Sequence, residues 1–137
     1  MSERRYLPTL AELIDRLSIC QLKEVFIPEH KHEYRREIAD ILYDIDVILA
    51  DDVVSFESSI NASTIRAIIV LAQMNLHIWH NESAARNSGE GGDLRLTHGL
   101  NGIRNTAKNK IQEVLGGRTD YKVDCLAEDF KDWEVSW

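Results

Sequence analysis

Cysteines, long apolar runs and basic residues are all scarce in this chain of 137 residues, and each scarcity closes off a class of protein. The two cysteines, Cys20 and Cys125, form neither a disulfide framework nor a metal-ligand pattern, and Cys20 is expected to serve as core packing. The longest apolar stretch, Ile68 to Leu76, is interrupted by Gln73 and Asn75 and falls well short of the roughly 20 residues a membrane span needs. The opening residues, Met1-Ser2-Glu3-Arg4-Arg5-Tyr6, carry charge with no apolar block behind it, which is not the pattern of a secretory signal. A cytoplasmic protein with reduced thiols is the expectation. Lys and Arg number 16 against 23 Asp and Glu, a formal net charge of −7, so the basic footprint of a dedicated duplex DNA binder is missing. Gly89-Glu90-Gly91-Gly92 follows a helical pattern rather than a strand and lacks the Lys-Ser/Thr ending of a phosphate loop. Ser and Cys nucleophile motifs are absent, and no segment alternates with the period of a strand.

What remains is a helical pattern. Apolar residues make up 44% of the chain and are spread along it, enough for one core and one domain over residues 1–137. Thr9 followed by Glu12 reads as a capping pair that starts a first helix over about 9–26, with Leu10, Leu13, Ile14 and Leu17 at helical spacing, until Pro28 breaks it. A second helix is predicted over about 29–51, its buried stripe Ile38, Ile41, Leu42, Ile45, Ile48 and Leu49. A third, over about 62–86, carries Ile65, Ile68, Ile69, Ala72, Leu76 and Trp79. A fourth, over about 94–115, carries Leu96, Leu100, Ile103, Ala107, Ile111 and Val114 and is stopped by Gly116-Gly117. The remainder, 118–137, is acidic and aromatic, with one short helix expected near Asp124 to Phe130 and with Trp133 and Trp137 docking on the bundle or on a second subunit. The predicted fold is an all-α four-helix bundle with an irregular tail.

Polar residues stand where core is expected. Asn75, Trp79, Glu82 and Arg86 lie at i, i+4, i+7 and i+11 along one edge of the third helix's apolar stripe. On the fourth helix Asn101, Arg104 and Lys108 sit beside Leu100, Ile103 and Ile111, with Asn105 a little further out. If the two helices pair antiparallel, amides, a carboxylate and guanidinium groups converge in one seam, and buried polar groups must be satisfied by something. On a plain structural reading Glu82 pairs with Arg86 or Arg104 while the asparagines satisfy helix ends or a subunit interface. On a functional reading Arg86 and Arg104 bind a carboxylate or phosphate, the asparagines orient it and Trp79 supplies a flat wall. The run Asn75 to Arg86 followed by Asn101, Arg104 and Asn105 resembles the pattern N-x-x-L-W-x-x-E-x-x-x-R … N-x-x-R-N of a bacterial helical family with no assigned activity. Ile78 and Ser83 depart from that pattern, and the likeness covers the third and fourth helices alone.

Glu33, Glu37, Asp40 and Asp44 form an acidic stripe on the second helix, and carboxylates on bundle helices can hold Mg²⁺ against a substrate's phosphates. Glu37 and Asp40 also resemble the E-x-x-D half of the MazG-like all-α nucleoside triphosphate pyrophosphohydrolases, which implies Mg²⁺ as cofactor. The other half would fall on Glu12 and Asp15, where Asp replaces a Glu, and helical projection turns both away from Leu10, Leu13 and Leu17. His77, His80 and His98 could in principle supply zinc ligands, but no further ligand completes the set. The leading expectation is therefore a helical bundle, homodimeric and without a cofactor, whose seam binds an anionic small molecule or organises a protein partner. A Mg²⁺-dependent pyrophosphohydrolase and a purely structural interaction module are the alternatives.

Overall fold

A computed structural model of the chain describes residues 7–50, 60–88, 94–115 and 136–137, with the backbone alone for 85–88 and 94. Thr9 opens the first helix: its hydroxyl accepts the Glu12 backbone N–H at 3.2 Å and lies 3.2 Å from the Glu12 carboxylate. The first contact satisfies one of the backbone donors left over at a helix start, and α1 runs from there over Leu10–Phe26. Pro28–His30 form one 3-10 turn, with the proline where its missing N–H costs nothing, and α2 follows over Lys31–Leu49. Asn61 begins α3, Ala62–Ser88, by accepting the Thr64 backbone N–H at 3.0 Å. The last helix, α4, spans Leu94–Leu115. These elements make an all-α four-helix bundle, with boundaries within two residues of those predicted. The glycine stop at 116–117, the short helix near 124–130, Cys125 and Trp133 lie outside the described residues.

Named contacts fix the directions of the helices. Thr9 meets Gln112 near the end of α4 at 3.0 Å, and Phe26 meets the His80 ring edge-on with centroids 5.4 Å apart. So α1 is parallel to α3 and antiparallel to α4. Glu24 pairs with Arg35 at 3.4 Å and the Lys23 ammonium sits 5.8 Å from the Tyr34 ring centre, which brings α2 back along α1. At the far end of the α3–α4 pair, Arg66 and Lys110 lie 6.0 and 5.0 Å from the Trp137 ring centre, and Arg66 also donates to the Ser136 carbonyl. Trp137 thus docks on the bundle, 42% exposed.

The first helix is the centre of the molecule. Among the described helices α2 packs chiefly on α1, with Ile45 and Ile48 reaching the edge of the common core, whereas α3 and α4 pack on each other and on α1. Two faces of α1 are consequently buried: Leu13 and Cys20 against Ile41 of α2, and Leu10 and Ala11 against Ala67, Leu71, Ala107 and Ile111. This arrangement corrects two of the predicted stripes. On α2 only Ile41 is buried, and Leu42 and Leu49 remain 47% and 43% exposed, because a helix with one main neighbour covers one narrow seam. On α3 the buried residues are Thr64, Ala67, Val70, Leu71 and Asn75, while Ile65 and Ile69 stand half exposed. Aliphatic residues go almost all round α3 between Ile65 and Trp79, so periodicity could not pick the face; the small Ala67 and Ala107 let the backbones of α3 and α4 approach. On α4, Leu115 rather than Val114 closes the core. No helix among the described residues is long and apolar enough to cross a membrane.

Candidate functional site

The polar residues of α3 and α4 meet on a residue that helical projection turns outward. Asp15 faces α3 and α4 with its side chain 13% exposed, and its carboxylate is shared between two partners. Asn75 Nδ2 donates to Asp15 Oδ1 at 2.8 Å, and Arg104 Nη1 donates to Asp15 Oδ2 at 2.7 Å. Asn75 Nδ2 also lies 3.3 Å from Ser18 Oγ. The rest of the guanidinium is occupied from its own helix: Nε donates to Asn101 Oδ1 and Nη2 to Asn105 Oδ1, each at 3.3 Å. Three helices are therefore tied by one carboxylate and one guanidinium, and Arg104 is engaged by the protein's own anion instead of an external one.

The signal for Asp15 was present in the sequence. Ala11, Asp15, Ser18 and Leu22 recur at i, i+4, i+7 and i+11, a second row on α1 that begins with a fully buried alanine. Its use becomes visible only once α1 is known to have neighbours on two sides.

Asn75 also belongs to the lining of a cavity of about 700 Å³ between α1 and α3, which does not include Arg104. Leu22 and Phe26 of α1 and Ile78 and Trp79 of α3 make its apolar wall. Lys23, His80 and Glu82 supply its polar groups. Of the residues singled out in the sequence, Asn75, Trp79 and Glu82 meet here, and Asn75, Asn101, Arg104 and Asn105 meet around Asp15. The Arg86 side chain lies outside the described residues. Asn75 is common to both clusters and only 5% exposed.

Asn75 has a second consequence. Its amide nitrogen faces the Asp15 carboxylate, and the reverse orientation would set two oxygens against each other, so the carboxamide can be placed one way only. The carbonyl oxygen Oδ1 is thereby presented elsewhere, and it accepts no hydrogen bond from any described residue. A buried acceptor without a donor costs on the order of 1–3 kcal/mol.

The carboxylates of the second helix do not gather into a site. Glu33, Glu37, Asp40 and Asp44 are exposed, and no three His, Cys, Asp or Glu residues among those described come close enough to share a metal ion. Glu12 is spent on the α1 cap and Asp15 on Arg104, on the opposite side of α1 from Glu37. The histidines are likewise dispersed: His80 lines the cavity, and no described group unites it with His77 and His98.

Glu37 does act on Cys20. Burial of this 1% exposed thiol, together with its hydrogen bond to the Glu37 carboxylate and that group's charge, pushes its pKa up to about 11 from a usual value near 9. The folded state thus holds the thiol proton more tightly than the unfolded chain, so the stabilisation is complete below about pH 9 and is lost as pH rises to about 11. Chemical denaturation across that window should show a decline on the order of 2 kcal/mol that is absent in Cys20→Ala; equal slopes would remove the Glu37 contact from the account.

Comparison with protein-family models, with curated proteins and with solved structures finds no match to this chain.

Proposed function

We propose that the chain is a helical-bundle binding protein for an anionic small molecule, taken up in the α1–α3 cavity beside the polar seam. The observation that carries this reading is the buried Asn75 carboxamide, its nitrogen held by Asp15 and its oxygen without a described donor, in a residue that lines a cavity whose volume lies within the roughly 300–1,000 Å³ usual for ligand sites. Trp79 and Phe26 give the cavity aromatic walls, and its cation is Lys23 rather than Arg104. The seam's role is to fix Asn75.

A fragment screen read by ¹⁵N-resolved NMR tests the proposal. Binding should move the Asn75 side-chain amide and the Trp79 indole N–H together while leaving Arg104 unchanged. Trp79→Ala should weaken binding about tenfold or more, because it removes both the aromatic wall and the apolar area that the ligand buries against it. Hits confined to other surfaces, or no hits, would overturn the proposal.

A second reading, association with another copy of the chain, is favoured by Leu42 and Leu49 on α2 and Ile65 and Ile69 on α3. Leu42 also lines an apolar groove with Ile14, Leu17, Ile68 and Leu71.

A further inference from the structure

The cavity contains a second group with an unmet requirement, and it lies at a fixed offset from the first. Lys23 is half buried in the cavity wall, and no described carboxylate pairs with it; among the described residues its ammonium meets the Tyr34 ring of α2. The one carboxylate in the lining, Glu82, already has a partner. The lining thus carries one cation and one carboxylate, and Lys23 is the one without a described partner of opposite charge. A partly buried ammonium without a counter-ion is attracted to an anion more strongly than an exposed lysine is, because less water screens it. Ser18 of α1 stands level with Asn75, and Lys23 is five residues further on, about 7–8 Å along the helix axis at the usual rise. Leu22 and Trp79 stand between these two levels, and Phe26, edge-on to His80, closes the cavity beyond Lys23.

Resting on the binding role proposed above, we infer that the ligand class is an aryl carboxylate whose ring bears an N–H or O–H donor. The ring donor meets Asn75 Oδ1, the ring lies against Trp79, and the carboxylate reaches the Lys23 ammonium. Each part answers one feature of the cavity: a buried acceptor, an aromatic wall and an unpaired cation. A neutral aromatic leaves Lys23 uncompensated, and an amine brings a second cation to it.

Indolepropionate, its N-methyl derivative and its primary amide separate these contributions on the full chain, read by titration calorimetry and by the Asn75 and Trp79 resonances. The acid should bind most tightly. Methylation of the ring nitrogen and amidation of the acid should each weaken binding about tenfold or more, as expected for one hydrogen bond to a buried acceptor and one charged contact. Lys23→Gln, a change at a side chain that closes no core contact, should bind the acid and the amide equally. Equal affinity of acid and amide for the unaltered chain overturns the anion contact, and indifference to N-methylation overturns the Asn75 contact. If all three indoles fail while neutral fragments still shift Trp79, the ligand class falls and the cavity's binding role stands; if no fragment shifts Trp79, both fall.

Discussion

Asp15→Ala lowers the folding stability of the chain by about 3–5 kcal/mol, the largest effect expected of any single polar substitution here. The carboxylate is 13% exposed and its guanidinium partner 19%, so alanine leaves Arg104 charged, largely dehydrated and with only two weak amide contacts. It also takes the 2.8 Å acceptor from Asn75 Nδ2, which is left with the longer contact to Ser18 alone. Arg104→Ala strands the carboxylate in the same way. Replacing both together, Asp15→Leu with Arg104→Met, should recover most of the loss, because the pair's mutual attraction mainly offsets the cost of dehydrating it. Urea denaturation of the four proteins closes the cycle. A loss below about 1 kcal/mol in each single variant would place the pair in water, where such contacts are worth little.

Leu71→Ala comes next, at about 2–5 kcal/mol, since Leu71 is fully buried where α1, α3 and α4 converge and the space it leaves cannot collapse between three helices. Ile65→Ala, six residues earlier on the same helix, should change the stability of the isolated chain by less than about 0.5 kcal/mol, because Ile65 is 52% exposed. The two variants together test which face of α3 is inside. Similar losses would mean that the helix is rotated from the orientation described. The Ile65 and Ile69 pair also tests association: if a second copy covers this face, Ile65→Asp with Ile69→Asp should convert a particle of twice 15.7 kDa into one of 15.7 kDa by light scattering. A single chain before and after the change removes the second-copy reading.

The helices could be read from the sequence because each one carries its own signals. Thr9 with Glu12, Pro28, Asn61 and the apolar repeats act within a few residues, and they mark the ends of α1 to α4 whatever those helices pack against. Which way each helix faces is a property of its neighbours. The sequence offers α3 aliphatic side chains on nearly every side, and the choice of Ala67 and Leu71 over Ile65 and Ile69 is made by the approach of α1 and α4. That polar groups of α3 and α4 turn toward one another is an expectation their helices alone supply, and in the structure Asn75 and Arg104 come together through Asp15. The centre of that meeting is not such an expectation, because Asp15 projects outward as long as α1 is assigned a single buried face. Lys23 and Phe26 escaped notice for a related reason: they sit at the end of α1, where an exposed cation and an aromatic look ordinary until His80 and Trp79 close the space beside them.

The central position of α1 bears on the order in which the chain can assemble. Its contacts to α4 join residues 89 and 103 positions apart, from Asp15 to Arg104 and from Thr9 to Gln112. Its pairing with α2 closes over a short turn and can form early. During synthesis the face of α1 that bears Asp15 therefore stays uncovered until α3 emerges, and Asp15 stays without Arg104 until much of α4 has followed. A carboxylate in the middle of that uncovered strip keeps the growing hairpin hydrated and discourages it from sticking to other nascent chains, and the same charge later becomes the knot that binds the final helix.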